Sequence, residues 1–216
     1  MNTVSLRING AEVKSTKGNT ILEACRELDI YIPTLCAHPD LPSSLGTCRL
    51  CIVENEGHGF PSSCLTPVSD GMIIHTESPR VKEIRVHNFK ILLSNLPSPR
   101  LDHQELSRIA EHIGVREEDF PPYVSGNLPV ESDEKDGKVR LSLDHNLCIL
   151  CGRCIRACRD LRKTSAIDFI SHNGKLKIGP ARAPSFSEAG CTFCSSCVKF
   201  CPTSAFTLTK LRLNDG

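Results

Sequence analysis

The chain has 216 residues, 39% of them apolar and 24% charged, a soluble globular composition with room for one or two domains. No apolar run approaches a membrane span and residues 1–10 lack the basic and apolar regions of a signal peptide, which leads us to expect a cytoplasmic protein. The formal charge of +1 conceals an asymmetry: residues 1–147 carry 15 Lys and Arg against 21 Asp and Glu, whereas residues 148–216 carry 11 against 4.

Residues 4–8 alternate in polarity, Asn9-Gly10 supplies a two-residue hairpin turn, and residues 11–15 return as the second strand. Thr20-Ile-Leu-Glu23 reads as a capping box opening a short helix with Ile21, Cys25 and Leu28 on its core face. Thirteen cysteines in a sequence of cytoplasmic type argue for metal ligation over disulfides. Cys25 is expected to pack and not to ligate, because the other twelve fall into one set of four and two further runs of four.

The set of four is Cys36, Cys48, Cys51 and Cys64, in sequence rich in Pro, Gly and Ser. Four thiolates on loops suit a [2Fe-2S] cluster, although the plant-type spacing C-x4-C-x2-C is absent, and a lone tetrad also suits zinc. The hairpin and helix before it, with strand-like residues 49–54 and 72–76 around it, give the element order of a β-grasp ferredoxin domain and favour the cluster. His38 and His58 flank the set and are expected on solvated loops, since four cysteines already fill the coordination positions.

Ser78-Pro79 starts a helix running to about Asn95, with Val81, Ile84, Ile91 and Leu92 as its apolar stripe. A second helix carries Leu106, Ile109, Ala110 and Ile113 on one face and ends at Gly114. Residues 120–138 mix Pro, Gly and an acidic run and read as an exposed linker or strap.

Cys148, Cys151, Cys154 and Cys158, then Cys191, Cys194, Cys197 and Cys201, each have the spacing C-x2-C-x2-C-x3-C. In that bacterial ferredoxin pattern three thiolates hold one cubane and the fourth reaches to the other. One [4Fe-4S] cluster would take Cys148, Cys151, Cys154 and Cys201, and a second would take Cys191, Cys194, Cys197 and Cys158. Structural zinc sites offer paired C-x2-C units, which a triplet with a distant fourth fits poorly. Arg159 stands where the first run lacks the proline that follows Cys201. Arg153, Arg156, Arg159 and Arg162 recur every third residue and are expected on a solvated helix face that offsets cluster charge, so the basic C-terminal third does not require a nucleic acid. Asn173-Gly174 signals a hairpin between the two runs, and residues 203–208 a closing strand.

The segments IPTLCAHPDLPSSLGTCRLCIVE, SSCLTPVSDGMIIHTES and DHNLCILCGRCIRACRDL resemble the start of the large iron-sulfur subunit of respiratory complex I and the equivalent modules of NAD-linked hydrogenases and formate dehydrogenases. The resemblance covers residues 1–80 and 140–210, and places Cys36, Cys48, Cys51 and Cys64 on that family's four [2Fe-2S] ligands, with Gly46 and Gly71-Met72 also matching. It implies an α+β chain: a β-grasp [2Fe-2S] ferredoxin domain over residues 1–78, a helical linker without a cluster over 79–138, and a bacterial-type double-cubane ferredoxin-like domain over 139–216. Relatives place a cubane held by one histidine and three cysteines after the first long helix. Here no cysteine lies between 64 and 148, which argues against complex I itself.

One [2Fe-2S] and two [4Fe-4S] clusters amount to a relay for single electrons. The chain has no G-x-G-x-x-G after a strand and no Walker loop, so nicotinamide and flavin belong to other subunits. The expectation is an electron-transfer subunit working between a flavin/NAD(P)-binding partner and a second redox or catalytic subunit, in a hydrogenase, a formate dehydrogenase or an electron-bifurcating transhydrogenase. The alternatives are a diffusing polyferredoxin and a structural zinc protein.

Overall fold

The structure, a computed structural model, describes residues 3–94, 96–120, 122–123 and 128–211. Strands β1 (Thr3–Ile8) and β2 (Ala11–Thr16) pair antiparallel with Ile8 opposite Ala11. Asn9 and Gly10 both take positive φ, as a tight right-twisted hairpin turn requires. Thr20 Oγ1 accepts from the Glu23 amide at 3.2 Å, and the Glu23 carboxylate accepts from the Thr20 amide at 2.6 Å, closing the capping box on α1 (Ile21–Glu27). Strands β3 (Glu54–Asn55) and β4 (Ile73–His75) complete a sheet of order β2-β1-β4-β3 in which β1 and β4 run parallel. Val4, Leu6 and Ile8 point from β1 onto Ile21, Cys25 and Ile74, a β-grasp core.

Two expectations are corrected here. Leu28 is 42% exposed at the end of α1, and Leu22 and Ala24 are buried in its place. Of the strand expected over 49–54 only Glu54 is in a strand; Arg49 adopts φ 55°, and Leu50, Cys51, Ile52 and Val53 are buried in loop conformation. A short apolar run looks the same whether a strand or a buried loop carries it.

Helix α2 (Pro79–Leu93) starts where Ser78 Oγ accepts from the Val81 amide. Its buried face is Val81, Arg85, Phe89 and Leu93, rotated from the expected stripe, and Ile91 is 58% exposed. The cause is Arg85, which is sunk into the core by bonds to Glu77 (2.6 Å) and the Ile52 carbonyl (2.8 Å) and occupies a position that hydropathy assigns to solvent. Helix α3 (Gln104–Ile113) buries Leu106, Ile109 and Ala110 as expected and ends at Gly114, whose φ of 73° is the left-handed C-cap. The expected helix end at Asn95 lies outside the described residues.

Residues expected as a strap include strand β5 (Val130–Lys135), which pairs with β6 (Val139–Asp144) in a three-stranded antiparallel sheet of order β5-β6-β9. Its charged side chains hid it, because an edge strand needs only one apolar face or none. Residues 121, 124–127 and 212–216 lie outside the described residues. After β6 the chain forms α4 (Arg153–Arg156), a single π turn (Ala157–Leu161), the hairpin β7 (Ile167–His172) and β8 (Lys175–Pro180) turning at Asn173-Gly174, then α5 (Ser196–Phe200). The closing strand β9 (Phe206–Lys210) begins later than expected because Ser204 turns the chain at φ 54°. No helix of the described residues is long and apolar enough to cross a membrane.

The rotated face of α2 is testable. Phe89→Ala should destabilise the protein by about 3–5 kcal/mol and Ile91→Ala by under about 0.5 kcal/mol, read from anaerobic denaturant melts; equal losses would restore the stripe expected from hydropathy.

Candidate metal centres

Cys36, Cys48, Cys51 and Cys64 are all buried and come from the loops around α1 and β3. The Leu35 amide donates to Cys48 Sγ at 3.4 Å, and Cys36 Sγ lies 3.4 Å from Ser44 Oγ. Hydrogen bonds from the Cys48 and Cys64 thiols hold Cys36 far below the usual thiol range, and the same bonds push Cys48 and Cys64 up. The Cys64 thiol likewise lowers Cys51 to about 7. Four sulfurs thus sit close enough to contend for protons, and only a shared positive centre lets all four ionise. Gly46 (φ 67°) closes this set: a Cβ there would stand 2.4 Å from Leu65 Cδ1.

Cys25 is fully buried, and burial raises its thiol to about 11. His38 packs edge-on against Phe200 with centroids 5.0 Å apart, and its Nδ1 accepts from the Asp40 amide. It is half-buried and not solvated as expected; His58 is exposed.

Two further cavities are lined by thiols. One takes Cys148, Cys151 and Cys154 with Cys201; the other takes Cys191, Cys194 and Cys197 with Cys158. Each cavity therefore gathers a triplet from one run and the fourth cysteine of the other run. Among the described residues no three or more His, Cys, Asp or Glu side chains are gathered as around a single metal ion. Burial pushes Cys148 up to about 11 and Cys151 and Cys197 to about 12, and Cys154 upward too. Thiols in so dry a place ionise only against a cationic core, which is the chemistry an iron-sulfur cluster brings.

The two halves repeat in backbone conformation. Leu150 and Gly152 in the first run, and Phe193 and Ser195 in the second, all take positive φ, between 54° and 70°. This curls each run so that amides turn back onto sulfur: Phe193 N–H donates to Cys191 Sγ at 3.4 Å, and Leu150 N–H likewise to Cys148. Beyond the fourth cysteines, Ala166 N–H donates to Cys158 Sγ (3.3 Å) and Ala205 N–H to Cys201 Sγ (3.2 Å). Both alanines end a Thr-Ser-Ala triplet, residues 164–166 and 203–205, whose serines take φ near 53°. Sequence reasoning missed these donors, and the repeated triplet was the signal. It was obscured because four extra residues separate Cys158 from its triplet, and the π turn absorbs part of them.

The arginine expectation is corrected. Arg153 and Arg156 are 2% and 0% exposed, and only Arg159 and Arg162 of the four lie outside the core. Only Arg153 and Arg156 of the four lie on α4, and both reach carbonyls at the first thiol set. Arg153 Nη1 and Nη2 donate to the two Glu105 carboxylate oxygens at 2.8 and 2.6 Å, and Nη2 also to the Ala37 carbonyl at 3.2 Å. Burial opposes the Arg153 charge, but this fork outweighs it and the guanidinium is held above its usual range. Arg156 Nη2 donates to the Cys36 carbonyl.

Such a fold and such thiol sets define a two-module iron-sulfur protein. Residues 1–79 match the 2Fe-2S iron-sulfur cluster binding domain, and residues 147–205 match the 4Fe-4S dicluster domain. Its homologues include the NADP-reducing hydrogenase subunit HndD of Solidesulfovibrio fructosivorans, 33% identical over 95% of this chain and 36% of that protein. An NADH-quinone oxidoreductase subunit of Rhizobium meliloti is 32% identical over 94% of this chain and 24% of that protein. The crystal structure of an NAD+-reducing [NiFe]-hydrogenase in the H2-reduced state shares the fold, with a TM-score of 0.76 and 23% identity over 95% of this chain and 87% of the matched chain. This chain thus spans little more than a third of the Solidesulfovibrio protein and about a quarter of the Rhizobium one.

Gly152 tests the geometry. A Cβ there would lie 2.3 Å from Leu45 Cδ1, at a φ of 70°. Gly152→Ala should lower the iron content of anaerobically purified protein, whereas Ser195→Gly, at the repeated position, should leave it unchanged. Equal iron in all three proteins would show that the curl at Gly152 is not required.

Proposed function

We propose that this chain is the electron-transfer subunit of an NAD(P)-linked flavin and iron-sulfur oxidoreductase complex of hydrogenase, formate dehydrogenase or electron-bifurcating type. Cys36, Cys48, Cys51 and Cys64 would hold one [2Fe-2S] cluster. Cys148, Cys151, Cys154 and Cys201 would hold the nearer [4Fe-4S] cluster, and Cys191, Cys194, Cys197 and Cys158 the farther. The observation that carries this assignment is the pair of cavities, each lined by three cysteines of one run and one of the other. Clusters of this kind, when bound, take up and release one electron at a time.

The chain's own residues do three things for them. Loop amides at Leu35, Phe193, Ala166 and Ala205 donate to cysteine sulfur and stabilise added negative charge. Apolar side chains such as Ile155, Ile178 and Phe206 keep the cavities dry. Helices α2 and α3 share one core with Cys36, Cys48 and Cys151, which draws the first set against the nearer cubane. We place residues 1–78 as the [2Fe-2S] domain, 79–138 as the connecting segment and 139–216 as the double-cubane domain, with β5 contributed across that last boundary. A flavin-binding NAD(P) subunit and a second redox or catalytic subunit are the partners, and the cytoplasm, where thiols stay reduced, is the compartment.

Anaerobically isolated protein should contain about ten irons per chain, and stoichiometric zinc with little iron would overturn the assignment. Cys158→Ser should remove the spectroscopic signal of the cubane held by Cys191, Cys194 and Cys197 and spare that held by Cys148, Cys151 and Cys154. The reverse loss would contradict crossed ligation. Anaerobic affinity purification from the native source should bring a flavoprotein and a catalytic subunit with the chain; elution alone would overturn the subunit assignment.

A further inference from the structure

Two cations are buried at the seam between the thiol sets. Arg156 donates to the carbonyl of Cys36 in the first set, while its own helix carries Cys154 of the nearer cubane cavity. Arg153 donates to the next carbonyl, Ala37, and is anchored by the Glu105 fork from α3. Both guanidinium groups are within electrostatic reach of thiols on either side: Arg153 of Cys151 and Cys48, Arg156 of Cys36 and Cys151. Among the described residues, Arg153 Nε and Arg156 Nε and Nη1 are buried with no hydrogen-bond partner. A guanidinium serving only as a structural clip would be expected to have its donors satisfied. The exposed Arg159, three residues on, is paired through Nε and Nη2 with the Asp160 carboxylate.

Resting on the cluster assignment proposed above, we propose that Arg153 and Arg156 are redox-positioning residues: they join the first thiol set to the nearer cubane site and together raise the reduction potentials of the clusters in both by more than that of the farther cubane. A cluster gains one negative charge when it takes up an electron. A fixed cation beside it therefore stabilises the reduced form more than the oxidised form. In a dry seam that attraction is weakly screened, and it acts on both sides at once. Each transfer across the seam removes one electron from one cluster and adds one to the other, and no bond or proton changes at the guanidinium. Glu105 works in the opposite sense, because its carboxylate cancels part of the Arg153 charge.

The test is a potentiometric titration of the full chain, with dithionite and mediator dyes, followed by EPR and preceded by iron and sulfide analysis. The farther cubane is identified as the signal absent from Cys158→Ser. Arg156→Gln should lower the potentials of the first-set cluster and the nearer cubane by about 59 mV, a tenfold change in the ratio of reduced to oxidised form. Arg156→Lys should restore most of that loss, Glu105→Gln should move the same two potentials upward, and Arg159→Gln should move none. Iron-replete Arg156→Gln with unmoved potentials, or with all three shifted equally, overturns this inference alone. If Arg156→Gln fails to assemble, Glu105→Gln decides: an upward shift of the two supports it, and no shift or a downward one overturns it. A wild-type chain holding zinc and little iron overturns the cluster assignment itself, and this inference with it.

Discussion

A buried thiol without donors or positive charge beside it keeps its proton, and this constraint shapes the whole chain. Eight of the twelve cysteines in the three sets are buried and the other four partly so. Burial raises most of the thiols lining the two cavities of the second module. Such a site is stable only with cationic metal inside it and donors outside the sulfurs, and the chain supplies the donors from its backbone. Left-handed residues at Leu150, Gly152, Phe193 and Ser195 are locally unfavourable for all but glycine, yet they turn successive amides inward. The strain lies in short loops held between α4, α5 and the hairpin β7–β8, where packing determines the geometry.

The same constraint explains why the modules do not behave as separate beads. Helices α2 and α3 bury Phe89, Leu93, Leu106 and Ile109 against Leu35 and Leu50 of the first module and alongside Cys151 of the second. Leu45 reaches from the first module to Gly152, where an added Cβ would stand 2.3 Å from its Cδ1 and the leucine would have to shift. The connecting segment is thus a wedge whose apolar faces are completed by both neighbours, in the way an amphipathic helix requires.

Much of this was legible from local rules. The Asn9-Gly10 and Asn173-Gly174 hairpins, the Thr20–Glu23 capping box and the Gly114 terminus are each decided within a few residues and stand where sequence places them. The two cysteine runs were equally plain in the sequence, and each of two cavities is lined by three cysteines of one run and one of the other. What escaped were features decided by distant partners. Arg85, Arg153 and Arg156 look solvated until Glu77, Glu105 and the carbonyls of Ile52, Ala37 and Cys36 are brought to them. Strand β5 is polar along its length and is made a strand only by β6. The buried run 50–53 escaped for the converse reason, being apolar enough for a strand but following a left-handed turn at Arg49.

The buried arginines also bear on why the segment between the modules carries no cysteine of its own. Here Cys36, Cys48 and Cys151 share one apolar core, and charge at the seam is supplied by Arg153 and Arg156. Stability alone does not account for these cations. A buried ion pair is often matched or bettered by apolar residues of similar volume, and Arg153 Nε and Arg156 Nε and Nη1, without a hydrogen-bond partner among the described residues, add to the cost. The cost is reduced if the seam is flanked by anionic centres, because each buried cation then faces compensating charge on two sides. In that arrangement the guanidinium groups and the clusters stabilise one another, and neither the arginines nor the dry thiol cavities need a separate explanation.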